Sequence, residues 1–341
     1  MLTFYNEHHA QHRGRSDAHG AATVSGVERV LAELQRRGLG EIVTPHRAPL
    51  VSLERIHTPR YLHFLRSAWS EWSALGPANG ERDALASHWP GRTMRSDIEP
   101  DDFHARLGLY ALDAVTPITS GTWNAAKTGA DCAINAAHAL RLGRRGSFAL
   151  TRPPGRHAGA DFFGGGCFLN NAALAAQHLL DDGLQRVAIL DLGYHHGNGT
   201  QGIFYGRSDV LFASIHADPR GAYPFYLGHP DETGAGAGLG YNINLPLARG
   251  AGAAEWFAAL ETACIRLGMF APEALVVSLG VDTGAGQAGA GFGLASADFL
   301  RIGERLAWLG LPTAFLFEGG HAALDAGIDT VNVLEGFETT A

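Results

Sequence analysis

Cysteine is scarce. The three present (Cys132, Cys167 and Cys264) are widely spaced and odd in number in a chain of 341 residues. That excludes a disulfide framework and a C-x-x-C zinc signature, and it points to a reducing compartment. No run of about 18 apolar residues occurs, which excludes a transmembrane helix. Basic residues are also few: 26 Lys and Arg stand against 34 Asp and Glu, a net charge of −8. No basic cluster supplies a phosphate-binding footprint, which counts against nucleic acid and membranes as partners. A mildly acidic surface attracts small cationic molecules instead. The opening Met1-Leu2-Thr3-Phe4-Tyr5-Asn6-Glu7 lacks the basic start and apolar stretch of a signal peptide, so a cytoplasmic address is the expectation.

Against these shortages stand 46% hydrophobic residues, 17 histidines and 45 glycines, the last roughly twice the usual share of about 7%. Five short apolar runs without alternation read as strands covered on both faces: 147–150, 187–190, 210–214, 274–279 and 314–317. Helical periodicity lies between them. Val27, Val30, Leu31 and Leu34 make one stripe, with a capping-box pattern at Ser25 and Glu28. Residues 170–180 and 256–267 have the same character and close near Gly183 and Gly268, and Phe299, Ile302, Leu306 and Leu309 make a stripe ending at Gly310. Strand and helix in alternation predict a single-domain α/β fold over residues 1–341, a mostly parallel β-sheet with helices on both faces. Residues 70–117, rich in Trp, Pro, Arg and Asp, read as a long surface excursion.

The polar residues cluster directly after the strands. Arg152-Pro153-Pro154-Gly155-Arg156-His157 follows the first run, Asp191-Leu192-Gly193-Tyr194-His195-His196 the second, Gly280-Val281-Asp282 the fourth and Glu318-Gly319-Gly320-His321 the fifth. In an open parallel sheet, ligands bind beyond the carboxyl ends of the strands, so these segments are expected to converge on one pocket. Imidazole and carboxylate are common Zn²⁺ donors, and an open catalytic site takes three protein ligands plus water. His195 and Asp282 are the best-placed pair, with His157 set to act as a general base.

Five ordered motifs then carry a resemblance: residues 152–159, residues 163–172 (Phe-Gly-Gly-Gly-Cys-Phe-Leu-Asn-Asn-Ala), His195-His196-Gly197-Asn198-Gly199-Thr200, Leu279-Gly280-Val281-Asp282-Thr283 and Glu318-Gly319-Gly320. The chain resembles the arginase/histone-deacetylase superfamily over nearly its whole length, most closely the bacterial acetylpolyamine amidohydrolase branch. The resemblance implies the arginase/deacetylase fold and a Zn²⁺ held by Asp-His-Asp. It also implies a tyrosine and two adjacent histidines around a scissile amide. His195 and Asp282 match metal ligands and His157 the general base. Asp191 and Ser214 match residues framing a structural K⁺ site, and Tyr223 matches one tunnel wall. Asp17 and Glu99 match acids near the entrance for a small cationic N-acyl amine. A homodimer through the excursion, around residues 89–100, is also implied.

Four positions depart from the family pattern. Gly193 stands where the first aspartate ligand belongs, which weakens the zinc site. Arg156 replaces the first paired histidine, Gly166 an aromatic tunnel wall and His321 the tyrosine; residues 284–291 replace a more structured loop. Three readings follow. The chain is a zinc amidohydrolase with a rearranged site that accepts a larger acyl group, and His321 or a backbone carbonyl completes the metal. Alternatively it is a metal-poor binding or regulatory homologue. The third reading is a repurposed enzyme of secondary metabolism, working by metal-independent acid/base chemistry on His157 or His321.

Overall fold

The computed structural model describes residues 1–13, 25–284, 291–320 and 324–340. Eight strands, all parallel, form one sheet: β1 Leu2–Tyr5, β2 Glu41–Val43, β3 Gly146–Leu150, β4 Val187–Asp191, β5 Val210–Ala217, β6 Asn242–Leu247, β7 Ala274–Gly280 and β8 Thr313–Gly319. Their order is β2-β1-β3-β8-β7-β4-β5-β6. The chain jumps from β3 to β4 over two vacant positions, which β7 and β8 fill later. That jump opens the crevice at the carboxyl edge where side chains from β3, β8, β7 and β4 can meet.

Side chains alternate between the two faces. Val187 and Ile189 of β4, with Val276 of β7, join a core shared with α3 (Pro59–Ala74), α4 (Phe103–Tyr110), α5 (Thr122–Arg141), α6 (Asn171–Asp181) and α7 (Asn198–Phe204). Ala188 and Leu190, with Leu275 and Val277, join the opposite core under α1 (Gly26–Arg37), α8 (Ala253–Phe270), α9 (Ser296–Ala307) and α10 (Ala326–Thr339). Both faces are therefore apolar, as the unalternating strand runs predict. A short α2 (Leu50–Glu54) sits between β2 and α3.

Local signals behave as expected at α1, where the Ser25 hydroxyl accepts from the Glu28 N–H and the Glu28 carboxylate accepts from the Ser25 N–H. Gly38 ends that helix in the left-handed conformation. α8 departs from expectation: it runs past Gly268 to Phe270 and is capped by Ala271, itself left-handed at φ 51°. The excursion is more ordered than its weak periodicity suggests. It contains α4, and it is pinned to the body by backbone hydrogen bonds between Leu112 and Phe163 and between Phe163 and Tyr110. No helix among the described residues is long and apolar enough to cross a membrane.

Several histidines are built into this framework as neutral groups. His57 Nε2 accepts from the Asn170 N–H, His216 bridges the Ser214 hydroxyl and the Gly228 carbonyl, and His12 meets the Thr122 hydroxyl. Burial pushes all three down to about 4, and it holds His157 and His196 well below the usual imidazole value. An unfolded chain takes up these protons near pH 6.5, whereas the native chain refuses them, so stability falls as pH drops from about 6.5 towards 4. Burial raises Asp191 to about 7 and Asp329 to about 6 and also pushes Asp131 and Glu318 up, which works in the opposite direction, but the five histidines outnumber these four. The urea midpoint is therefore expected to decline steadily across that window; a midpoint constant from pH 6.5 to 4.5 would show that these imidazoles protonate in place.

Candidate active site

Arg156 and His157 leave the end of β3, Gly193 and His195 follow β4, Tyr223 follows β5, Asp282 follows β7, and Glu318 lies near the end of β8. The parallel topology brings them to one pocket, as their positions after the strands predict. Backbone hydrogen bonds secure the Arg156 segment. Its carbonyl accepts from the Gly199 and Thr200 N–H groups at the start of α7, while the Gly155 and Arg156 N–H groups donate to Glu318 Oε2 at 2.6 and 2.9 Å.

The Arg156 guanidinium is the centre of the pocket floor. Nη2 donates to Asp282 Oδ2 at 3.2 Å and Nη1 to the Glu318 carbonyl at 2.9 Å. Only 3% of the residue is exposed. Two glycines wall the slot that holds it: a Cβ at Gly193 would lie 2.7 Å from Arg156 Cζ, and one at Gly319 would lie 3.0 Å from Nη1. Any side chain at 193 would therefore crowd the guanidinium from its first carbon. Burial opposes charge on Arg156, but Asp282, Asp191 and Glu318 together raise its pKa and fix it as a cation. Burial likewise pushes Asp282 up, yet Arg156 first and His195 second hold it below the usual carboxylate range. Asp282 Oδ1 accepts from the Tyr194 N–H at 3.1 Å, which orients the carboxylate.

His195 Nδ1 lies 3.8 Å from Asp282 Oδ2, on the open side of the pocket. His157 Nδ1 meets Asn198 Oδ1 at 2.7 Å, and its ring stands edge-on to Tyr223 at 5.1 Å between centroids. Burial, then the Arg156 charge, keep His157 neutral. The Tyr223 hydroxyl donates to Asp113 Oδ2 at 3.1 Å, and the same oxygen accepts from the Gly165 N–H at 2.6 Å. Gly165 adopts φ +57°, and a Cβ there would press to 2.6 Å from the His157 ring. Gly166, at φ +75°, faces open space.

A zinc ion on His195 and Asp282 needs a third donor. Gly193 has no side chain to offer, and the space such a donor would fill holds a guanidinium bonded to Asp282. A dication and a permanent monocation do not share one carboxylate oxygen without strong repulsion. Among the described residues none at this pocket supplies that third donor, and the described set does not fit the metal. They do balance without it: one guanidinium against Asp282 carries the same net charge as a dication against two aspartates. Asp191 fares differently. Its Oδ1 accepts from the Gly193 N–H at 3.0 Å, but its Oδ2 is fully buried without a partner, as is the Ser278 hydroxyl on the neighbouring strand. Such an orphaned oxygen fits a small cation. Ser214 pairs with Asp191 across β4 and β5 but turns its hydroxyl to His216.

Glu99 has its side-chain partners on the excursion itself. It accepts from the Tyr110 hydroxyl at 2.6 Å and lies 3.8 Å from Arg106. The acid at the Tyr223 wall is Asp113, delivered by the excursion, and nothing in its sequence surroundings marks it. Asn198 could have been read from its place within the His195–Thr200 motif. Asp17, His321 and residues 285–290 lie outside the described residues.

A histone deacetylase domain model matches residues 22–334. The chain is 49% identical to acetylpolyamine amidohydrolase 1 of Pseudomonas aeruginosa, with all of both chains covered. It is 41% identical to the acetylpolyamine amidohydrolase of Mycoplana ramosa, covering 98% of this chain and 99% of the relative. The crystal structure of acetylpolyamine aminohydrolase from Burkholderia pseudomallei superposes with a TM-score of 0.90 at 35% identity, covering 99% of each chain.

Removing the guanidinium would strand three buried carboxylates. Arg156→Ala is expected to lower the unfolding free energy by about 3–5 kcal/mol, read from urea denaturation at neutral pH. Gly193→Ala crowds the same group and should lower it by about 1–3 kcal/mol. Because both act on one slot, the double variant should lose less than the sum of the two. Strict additivity would mean that Gly193 and Arg156 are not paired.

Proposed function

The chain belongs to the histone deacetylase family, and from that premise we propose that it is an amidohydrolase-type protein whose pocket takes a small N-acylated amine of the acetylpolyamine kind, with the Arg156 guanidinium serving where its relatives use a metal. Proteins of this family are generally metal-dependent. The observation that carries the reading is the guanidinium seated between Asp282 and the Glu318 carbonyl in a slot walled by Gly193 and Gly319. His157, Tyr223 and His195 remain around it, so a substrate carbonyl can still be met by a cation, an imidazole and an aromatic wall.

In this proposal Arg156 donates to the acyl carbonyl oxygen and stabilises the developing oxyanion. With Asn198 accepting from Nδ1–H, His157 turns the lone pair of Nε2 into the pocket to take a proton from water as its oxygen attacks the acyl carbon, and returns that proton to the amine nitrogen as the C–N bond breaks. His195, also kept neutral mainly by burial, lines the open side. The arrangement supplies the oxyanion donor and the base. It does not supply the lowering of water's pKa from about 15.7 to about 7 that a zinc ion brings. Turnover of an unactivated acetamide is accordingly slow, and ligand binding is the more robust property. Open space at Gly166 suits acyl groups longer than acetyl, and the acidic balance of the chain suits a cationic amine. The orphaned Asp191 Oδ2 supports a monovalent cation held by Asp191, which Ser214 joins only by turning its hydroxyl away from His216. The exposed Met94 and Ile98 of the excursion support a homodimer, and a sedimentation run resolves the question.

The site reading is tested with acetylputrescine and its longer-chain acyl analogues. Wild-type protein is expected to bind them, and any hydrolysis should be unchanged by chelator or added zinc. The double variant Arg156→His/Gly193→Asp is expected to bind zinc and to hydrolyse acetylputrescine at least about 10²-fold faster in a zinc-dependent manner. Wild-type hydrolysis that disappears in chelator and returns with zinc would overturn the guanidinium reading. Absence of any acylamine binding would overturn the ligand assignment.

A further inference from the structure

We propose that His138, His178 and Asp182 form a structural site for Zn²⁺ or a similar late first-row divalent ion, on the edge of the sheet opposite the pocket. His138 Nδ1 and His178 Nε2 each lie 3.5 Å from Asp182 Oδ2, and the two ring nitrogens are 3.5 Å from each other. Ligand atoms about 2.0–2.1 Å from a tetrahedral zinc are separated by roughly 3.3–3.4 Å, so the three atoms already stand close to one face of that tetrahedron. Two imidazoles and a carboxylate are a donor set that zinc accepts, with water in the fourth position.

Local electrostatics favour a cation here. His138 lies in the last turn of α5 and His178 in the last turn of α6, while Asp182 follows α6 directly. The negative ends of two helix dipoles therefore converge on the cluster. The nearby Arg141 donates to the Asp182 carbonyl at 2.9 Å, so its charge is directed to the backbone of that residue. Side-chain exposures of 51, 23 and 34% for His138, His178 and Asp182 leave the outward coordination position open to water.

An ion there would tie the end of α5 to the end of α6. At its other end α6 starts at Asn170, whose side chain donates to the Ala158 carbonyl in the loop beside His157. The site thus clamps a helix that buttresses the pocket loop, from too far away to touch a ligand.

Tag-free full-length protein should bind about one Zn²⁺ per chain at micromolar metal by equilibrium dialysis, raise its Tm by a few degrees on binding, and give the visible bands of tetrahedral cobalt with Co²⁺. His178→Ala and His138→Ala should each abolish all three effects, whereas His195→Ala should leave them intact. No uptake at micromolar zinc, or uptake that survives His178→Ala, would overturn the proposal. Zinc lost on His195→Ala but retained on His178→Ala would place it in the pocket and overturn the metal-free reading there as well.

Discussion

A single buried ion pair organises the pocket: the guanidinium of Arg156 on the carboxylate of Asp282. Around it lie Asp191 and Glu318, both fully buried and both pushed upward by burial. Three acids in a dry crevice would repel one another and resist ionisation without a cation among them. The guanidinium satisfies that demand from inside the chain. Breaking such a pair leaves charge stranded, which makes the floor of the pocket a point of stability.

The pair exists only because the sheet is parallel and discontinuous in its ordering. Arg156 and Asp282 are 126 residues apart in sequence, yet each needs to travel only a few residues beyond its strand to meet the other. Glycine then decides what fits. A methyl group at 193 would push into the guanidinium, one at 319 would crowd it, and one at 165 would collide with His157. The abundance of glycine in the chain thus has a local meaning here: bulky groups are admitted to the crevice because backbone alone forms its walls.

Much of this was legible in the sequence. Unalternating strand runs, helical stripes and polar residues placed after the strands led to the α/β fold and to a pocket containing Arg156, His157, His195 and Asp282. The strands that went unread were β1, β2 and β6. The first two are short, and β6, Asn242–Leu247, mixes Asn and Pro into its apolar run, so no apolar signal stands out. The end of α8 was misjudged because Ala271 takes a conformation that composition assigns to glycine. Asp113 carried no signal of its own in the sequence, because only tertiary packing decides which acid of the excursion reaches Tyr223. The most consequential fact was also beyond reach. Arg156 and Gly193 were each visible as departures, but their being one complementary change depends on a Cβ position that only three dimensions reveal.

A cation carried on a side chain has no dissociation equilibrium. It cannot be lost to dilution or to a competing protein, nor can a different element be loaded in its stead. The positive charge on the floor of this pocket is therefore synthesised with the polypeptide and persists through starvation for trace elements. It is also fixed at one unit of charge and one geometry, whatever the cell's inorganic supply.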